Sequence, residues 1–207
     1  MLSINKPIDE FEKLDKCFSQ HGISFCSNKK NEDICVGEMI SGQVYVILTG
    51  VLSLLREEKV LIGMLQAPAI IGLAGCIIPN SIEYSLMTVS PCAGYYLPAQ
   101  RVLELIEDRH LWRDAFYWLT WQNRIMELRD YHLIGNNGYK KICATLTSMM
   151  AWGEALRLQI GVINYVQQKT QVSRSVVAEI LSALRKGGYI EMQNGKLLSI
   201  NRLPELY

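Results

Sequence analysis

The sequence predicts an α+β chain, and three observations carry that expectation. Between about Glu32 and Leu97, apolar, β-branched and aromatic runs of four to six residues alternate with turn residues at short intervals. From Pro98 onward the apolar period becomes helical, and the chain closes on helix, turn, helix and hairpin signals. The charge divides within the helical part, at the Gly135–Gly138 break that precedes those closing signals. Residues 1–138 carry 12 Lys+Arg against 16 Asp+Glu, while residues 139–207 carry 9 against 4 with no Asp, so a formal net charge of +1 hides an acidic part and a basic part. Asymmetry of this sign suggests that the basic segment meets a polyanion.

Length and composition bound the rest. A chain of 207 residues suffices for one large domain or two small ones with a real core. An apolar share of 49% and a charged share of 20% exclude disordered and low-complexity readings. The amino terminus, MLSINKPIDEFEKLDK, has no apolar stretch resembling a signal-peptide core. The longest apolar runs, such as Ala69 to Ile78, reach about half of the ~18–20 residues that span a bilayer. The expectation is a cytoplasmic protein with no membrane partner, whose six cysteines are reduced thiols.

In chain order, Val44 to Leu48 and Val51 to Leu55 read as strands around a tight Thr49-Gly50 turn. The polar run Arg56-Glu57-Glu58-Lys59 ends a hairpin before Val60 to Leu65. Further strands fit Ala69 to Ile71, Ser85 to Val89 and Gly94 to Leu97, punctuated by Pro68, Gly72, Gly75, Pro79-Asn80 and Pro91. Short, regularly spaced strands favour a barrel or sandwich over βαβ units. A short helix opens at Pro98-Ala99 and runs through Ile106, and a long one follows from Leu111 to about Leu133. Two seven-residue series run along the long helix: Leu111, Trp118, Ile125 and His132, and beside them Trp112, Leu119, Met126 and Leu133. Two adjacent stripes make a face too wide for a helix covered on one side, so it is expected to pack both on its own strands and on a partner helix in a parallel homodimer. The competing reading is a helix buried inside a monomer. Gly135-Asn136-Asn137-Gly138 then breaks the helix and sets the expected boundaries: 1–110, 111–138 and 139–207.

After the break come helices at Tyr139 to about Trp152 and Val162 to Lys169. The stretch QVSRSVVAEILSALRKGGYI, Gln171 to Ile190, is the most specific in the chain. Ser173 suits an N-cap, and Val176, Val177, Ile180, Leu181 and Leu184 form the expected inward stripe. Arg174, Ser175, Ala178, Glu179 and Ser182 lie opposite, and Gly187-Gly188 stops the helix. Tyr189 to Met192 and Lys196 to Ile200 flank Gln193-Asn194-Gly195 as a hairpin. This is the layout of a winged helix-turn-helix, whose second helix leads into the major groove by its amino-terminal residues while wing and flanking cations hold phosphates.

Over nearly its whole length the chain resembles the CRP/FNR superfamily of bacterial transcription regulators. SRSVVAEILSALRKGGYI is similar to that family's recognition helix and wing entry, and YVILTGVLSLL to its β-roll strands. The resemblance implies a cupin-like, cyclic-nucleotide-binding-domain-like β-roll, a dimerisation helix lined by Leu111, Trp118, Leu119, Ile125, Met126 and His132, and a DNA-binding carboxy-terminal domain. DNA contacts are implied for Lys169, Gln171, Ser173, Arg174, Ser175, Ala178, Glu179 and Lys196, and RNA polymerase is a further partner of such regulators.

The departures are equally informative. Members that bind cyclic AMP use a Gly-Glu pair for the ribose and an Arg-Ser pair for the phosphate. Here these fall at Gly72-Leu73 and near Glu83-Tyr84. Leucine cannot accept from ribose hydroxyls, and a carboxylate repels a phosphate, so cyclic-nucleotide binding is not expected. Cys17, Cys26 and Cys35 are separated by eight residues each, unlike the family's iron–sulfur motif, and only His21, His110 and His132 could ligate haem. No cofactor or metal is therefore expected. Where the best-known members read bases with Arg, Glu and Arg, this chain has Arg174, Ser175 and Glu179, which implies a different operator. Gln167 stands where a small residue is usual, and Gln171 where the turn glycine is usual.

Cys76, Cys92 and Cys143 sit in apolar or helical runs and read as small core residues, which leaves Cys17, Cys26 and Cys35 as candidate redox thiols, with Lys16 beside Cys17 as the suggestive neighbour. Walker loop, zinc-spaced set, nucleophile elbow and dinucleotide fingerprint are absent from the sequence, and no His falls among the strands, so no catalytic residue is assigned and an enzyme is not expected. The sequence thus points to a dimeric, sequence-specific transcription regulator, with a link to stress or redox response, in which a ligand, redox event or partner at the β-roll alters the spacing of two recognition helices. The competing class is a β-roll interaction module whose winged domain has lost specific DNA binding. A β-roll cavity filled by Leu73, Ile77 and Tyr84 would point to control by abundance or partners.

Overall fold

The computed structural model describes residues 4–35, 42–57, 60–79 and 82–204. Glu58, Lys59 and Asn80, assigned to turns above, lie outside the described residues. The chain divides into two compact units, Met1–Met126 and Glu127–Tyr207.

The first unit begins with a helix, α1 (Ile8–Phe18), whose Phe11, Leu14 and Phe18 at three- and four-residue spacing are buried while the charged residues between them face out. Seven strands follow: β1 (Ile23–Ser27), β2 (Gln43–Thr49), β3 (Val51–Arg56), β4 (Val60–Gln66), β5 (Ala69–Ile71), β6 (Tyr84–Thr88) and β7 (Cys92–Pro98). They form two antiparallel sheets in the orders β1-β7-β2-β5 and β4-β3-β6. The sheets face each other across a core of Val44, Val46, Leu52, Leu54, Ile70, Leu86 and Leu97. β2 is buried at four successive positions, Val44 to Ile47, as a central strand covered on both faces must be. This matches the expected strand-rich half. The short helix α2 (Ala99–Asp108) closes the roll with Val102, Leu105 and Ile106, and α3 (Trp112–Leu133) follows.

Within α3 the expected seam divides. Trp118, assigned above to the dimer face, is 0% exposed: its indole N–H donates to the Ile70 carbonyl at 3.0 Å, and its ring lies 5.7 Å from Phe11. Gln122, one turn on, donates to the same carbonyl at 2.9 Å. Leu111 and Leu119 also pack on the β core. The first half of the predicted stripes is thus satisfied inside the chain, because β5, at the edge of its sheet, offers an acceptor that a tryptophan can reach. Ile125 and Met126 remain exposed, as do Trp112, Phe116 and Tyr117, with Phe116 at 69%. His132 is half-buried beside Tyr131, its carbonyl accepting from the Asn136 amide.

The second unit holds α4 (Gly138–Met150), a single turn α5 (Glu154–Arg157), α6 (Val162–Thr170), α7 (Arg174–Lys186) and the hairpin β8 (Ile190–Gln193) and β9 (Lys196–Ile200). Asn137 caps α4 by accepting from the Lys140 amide. Ile142, Leu146 and Met149 of α4, Val162 and Val166 of α6, Val177, Ile180, Leu181 and Leu184 of α7, and Leu197 of β9 are among its buried apolar side chains. No helix among the described residues is long and apolar enough to cross a membrane.

Candidate nucleic-acid interface

The site is built on α6, α7 and the hairpin. Ser173 caps α7: its hydroxyl accepts from the Val176 amide at 3.4 Å, leaving the other first-turn N–H groups at an exposed end. A four-residue apolar face (Val177, Ile180, Leu181, Leu184) holds α7 against its unit, so Ser173, Arg174, Ser175 and Glu179 project to solvent. Ala178 is half-buried at the margin. Val176 does not belong to the inward stripe, being 39% exposed. At about 100° per residue, Val177, Ile180, Leu181 and Leu184 fall within an arc of about 100°, and Val176 lies about 40° outside it, at the outer edge.

The turn between α6 and α7 runs through Gln171 at φ 58°, ψ 20°. This left-handed conformation is the one a glycine adopts at no steric cost, and Gln171 holds it with a side-chain amide donating to the Gln168 carbonyl at 2.8 Å. Arg174 reaches back to α6, donating to the Asn164 carboxamide oxygen at 2.5 Å. Sequence reasoning missed Asn164. Its position one helix away, ten residues upstream, carries no local signal.

The hairpin is fastened at its tip and base. Asn194 and Gly195 have φ 49° and 74°, the paired left-handed turn that suits strand twist. The Gly195 carbonyl accepts from the Val162 amide at 3.0 Å, and Lys196 Nζ donates to the Gln159 carbonyl at 2.7 Å. Arg157 spreads its guanidinium over the carbonyls of Leu197, Leu198 and Trp152. Arg157 is accordingly a brace for the wing and Lys196 partly so, which takes two of the basic segment's cations into structure. Lys169 is a third: half-buried on α6, it has an ammonium pushed down to about 8 by burial and then by the Arg129 charge. Lys140, Arg185, Lys186 and Arg202 remain exposed.

In the β-roll, Gly72 opens the tight turn Leu73–Cys76 at φ 90°, and a Cβ there would sit 2.4 Å from the Gln43 carbonyl oxygen. Close packing against β2 therefore explains this glycine without a ligand. Leu73 is buried in the core and Tyr84 packs against it, while Glu83 is exposed. Ile77, the third side chain that a filled roll would use, is 61% exposed.

Two of the three candidate redox thiols are disfavoured. Burial pushes Cys35 up to about 12, with the Asp33 carboxylate adding to it. Cys17 is half-buried and also raised, burial outweighing the pull of Arg109 and Arg101. Both are protonated and poor nucleophiles at neutral pH. Cys26 is exposed. Among the described residues no group of three or more His, Cys, Asp or Glu is placed to hold a metal ion.

Residues 138–205 match the family model for winged helix-turn-helix DNA binding. The whole chain is 57% identical over 207 residues, covering all of both proteins, to the inhibitor of hydrogen peroxide resistance of Escherichia coli (strain K12). The chain belongs to that family. Its fold is that of the CRP/FNR regulators. A c-di-GMP responsive global regulator from Xanthomonas campestris superposes with a TM-score of 0.75 at 14% identity, covering 92% of this chain and 99% of that one. A CRP-family transcriptional regulator from Thermus thermophilus superposes at 0.64 and 14% identity, covering 86% and 92%. At such identities these likenesses establish the fold, and residues 138–205 carry the matched winged helix-turn-helix.

Proposed function

We propose that this chain is a cytoplasmic, homodimeric, sequence-specific transcription regulator that does not respond to cyclic AMP. The observation that carries this reading is the leading edge of α7, where Ser173, Arg174, Ser175, Val176 and Glu179 are held outward by a separate apolar face. Arg174 is suited to guanine, Glu179 to a cytosine amine and Val176 to a thymine methyl, a combination different from the family's usual reading set. Gln171 and Ala178 flank this edge, the exposed Lys140, Arg185, Lys186 and Arg202 would supply phosphate contacts, and Lys169 and Lys196 would add to these only beside their structural roles. Dimerisation would use Ile125 and Met126 with the exposed Trp112, Phe116 and Tyr117. The resulting organisation is a roll over 1–110, a dimerisation helix and hinge over 111–138 and a reader over 139–207, with RNA polymerase as a further partner. The relative's name supports a role in peroxide resistance.

Gel shifts of the full chain on genomic fragments at two salt concentrations test the reading. Specific complexes surviving competitor DNA are expected, and Arg174→Ala should cost about 1–3 kcal/mol while relaxing one base position. Weak, steeply salt-dependent binding in the wild type would favour the interaction-module reading instead, which the structural use of Arg157, Lys169 and Lys196 supports.

A further inference from the structure

The acidic first unit contains a strongly basic concavity. A cleft of about 230 Å³ is lined by Lys13, Lys16, Cys17, Gln20, His21 and Arg109, with Leu111 at its wall. The cations come from two segments: α1 with the turn after it, and the α2–α3 connection, where His110 takes the left-handed backbone at φ 55°. Among the described residues no carboxylate lines the cleft. Asp114 pairs with Lys13 at 2.9 Å and neutralises that cation, and Asp15 accepts from the Tyr95 hydroxyl at 2.6 Å. In a region with more acidic than basic residues, a concave cluster of this sign is a place where an anion replaces mutual repulsion with pairing.

We propose that this cleft binds a small, multiply charged organic or inorganic oxyanion, bridging α1 to the root of α3. The volume is below the roughly 300–1,000 Å³ of drug-sized and cofactor sites, and corresponds to roughly seven or eight water volumes. The ligand is therefore a small phosphorylated or polycarboxylated metabolite rather than a nucleotide. Arg109 offers a planar fork to two oxygens, Lys16 supplies a point charge, and Gln20 and His21 supply directional hydrogen bonds. The Lys13–Asp114 pair already joins α1 to α3 across this edge, so an anion on Lys16 and Arg109 would add a second tie beside it. The inference is independent of DNA binding.

The test uses the full chain with pyrophosphate and with citrate as probes, read by titration calorimetry and by site-resolved mass spectrometry of Cys17 alkylation. Expected are saturable binding of at least one probe and slowed alkylation of Cys17, with Cys26 labelling unchanged. In Lys16→Gln/Arg109→Gln, affinity should fall about tenfold or more and the protection should vanish. Preference between the probes tells phosphate from carboxylate chemistry. Absence of binding by both at millimolar concentration overturns the proposal, as does binding that the double variant retains. Circular dichroism of the double variant shows whether its fold is intact; if it is not, Lys16→Gln alone, on the exposed face of α1, must show the same directional loss.

Discussion

The turn at Gly72 and the leading edge of α7 are both short segments that related folds use to recognise a polar ligand, but their side chains go to different places here. At the first, Leu73 lies in the core and Tyr84 packs against it, and the one polar member of the set, Glu83, is exposed. At the second, the apolar residues are on a separate face and the polar ones remain at the surface. A recognition segment inside a roll competes with the core for the same space, so apolar replacements there add stability as they remove function. A segment on an outer helix edge does not compete, and can change its reading residues without touching the core.

That contrast can be broken in stages. Leu73→Ala should cost about 2–5 kcal/mol of unfolding free energy in denaturant titration while leaving operator preference unchanged; a neutral result would mean the roll has room for a ligand. Lys169→Met tests whether α6 spends its cation on structure or on phosphate. Its folded pKa of about 8 lies below the ordinary 10.5, so between these values the unfolded chain holds the extra proton and wild-type stability should rise with pH. The variant should lack that component of the rise and be more stable at pH 7 by on the order of 2 kcal/mol. If it instead loses DNA affinity with no stability gain, Lys169 belongs to the reading surface. Gln171→Gly should raise thermal stability by roughly 0.5–1 kcal/mol, the left-handed penalty less glycine's unfolded-state entropy, and any fall in DNA affinity beside that gain would measure its side chain's share of the contact.

Much of the fold was legible because turn chemistry marks it. The strands from β2 to β7 lie between glycines and prolines, and the Asn194-Gly195 hairpin and the Ser173 cap are local signals with local causes. β1 was not recognised: only Ser27 of its five residues is buried, so ISFCS lacks a core signature. The register of α1 was present in Phe11, Leu14 and Phe18 but is diluted by acids and lysines. The site residues divided similarly. Ser173, Arg174, Ser175 and Glu179 lie at the exposed edge expected of them, whereas a heptad pattern on α3 cannot say which partner each stripe meets, and Trp118 was decided by a carbonyl 48 residues away. The basic cleft was invisible because Lys16 and Arg109 are brought together only by tertiary structure.

The Ile70 carbonyl, accepting from both Trp118 and Gln122, has a mechanical consequence. One residue of rotation turns a helix by about 100°, which would carry both donors away from their acceptor and strand the fully buried Trp118 N–H without a partner. The azimuth of α3 is thus keyed like a shaft in a slot as far as Gln122, and torque applied at the roll can tilt or bend this helix far more cheaply than it can spin it.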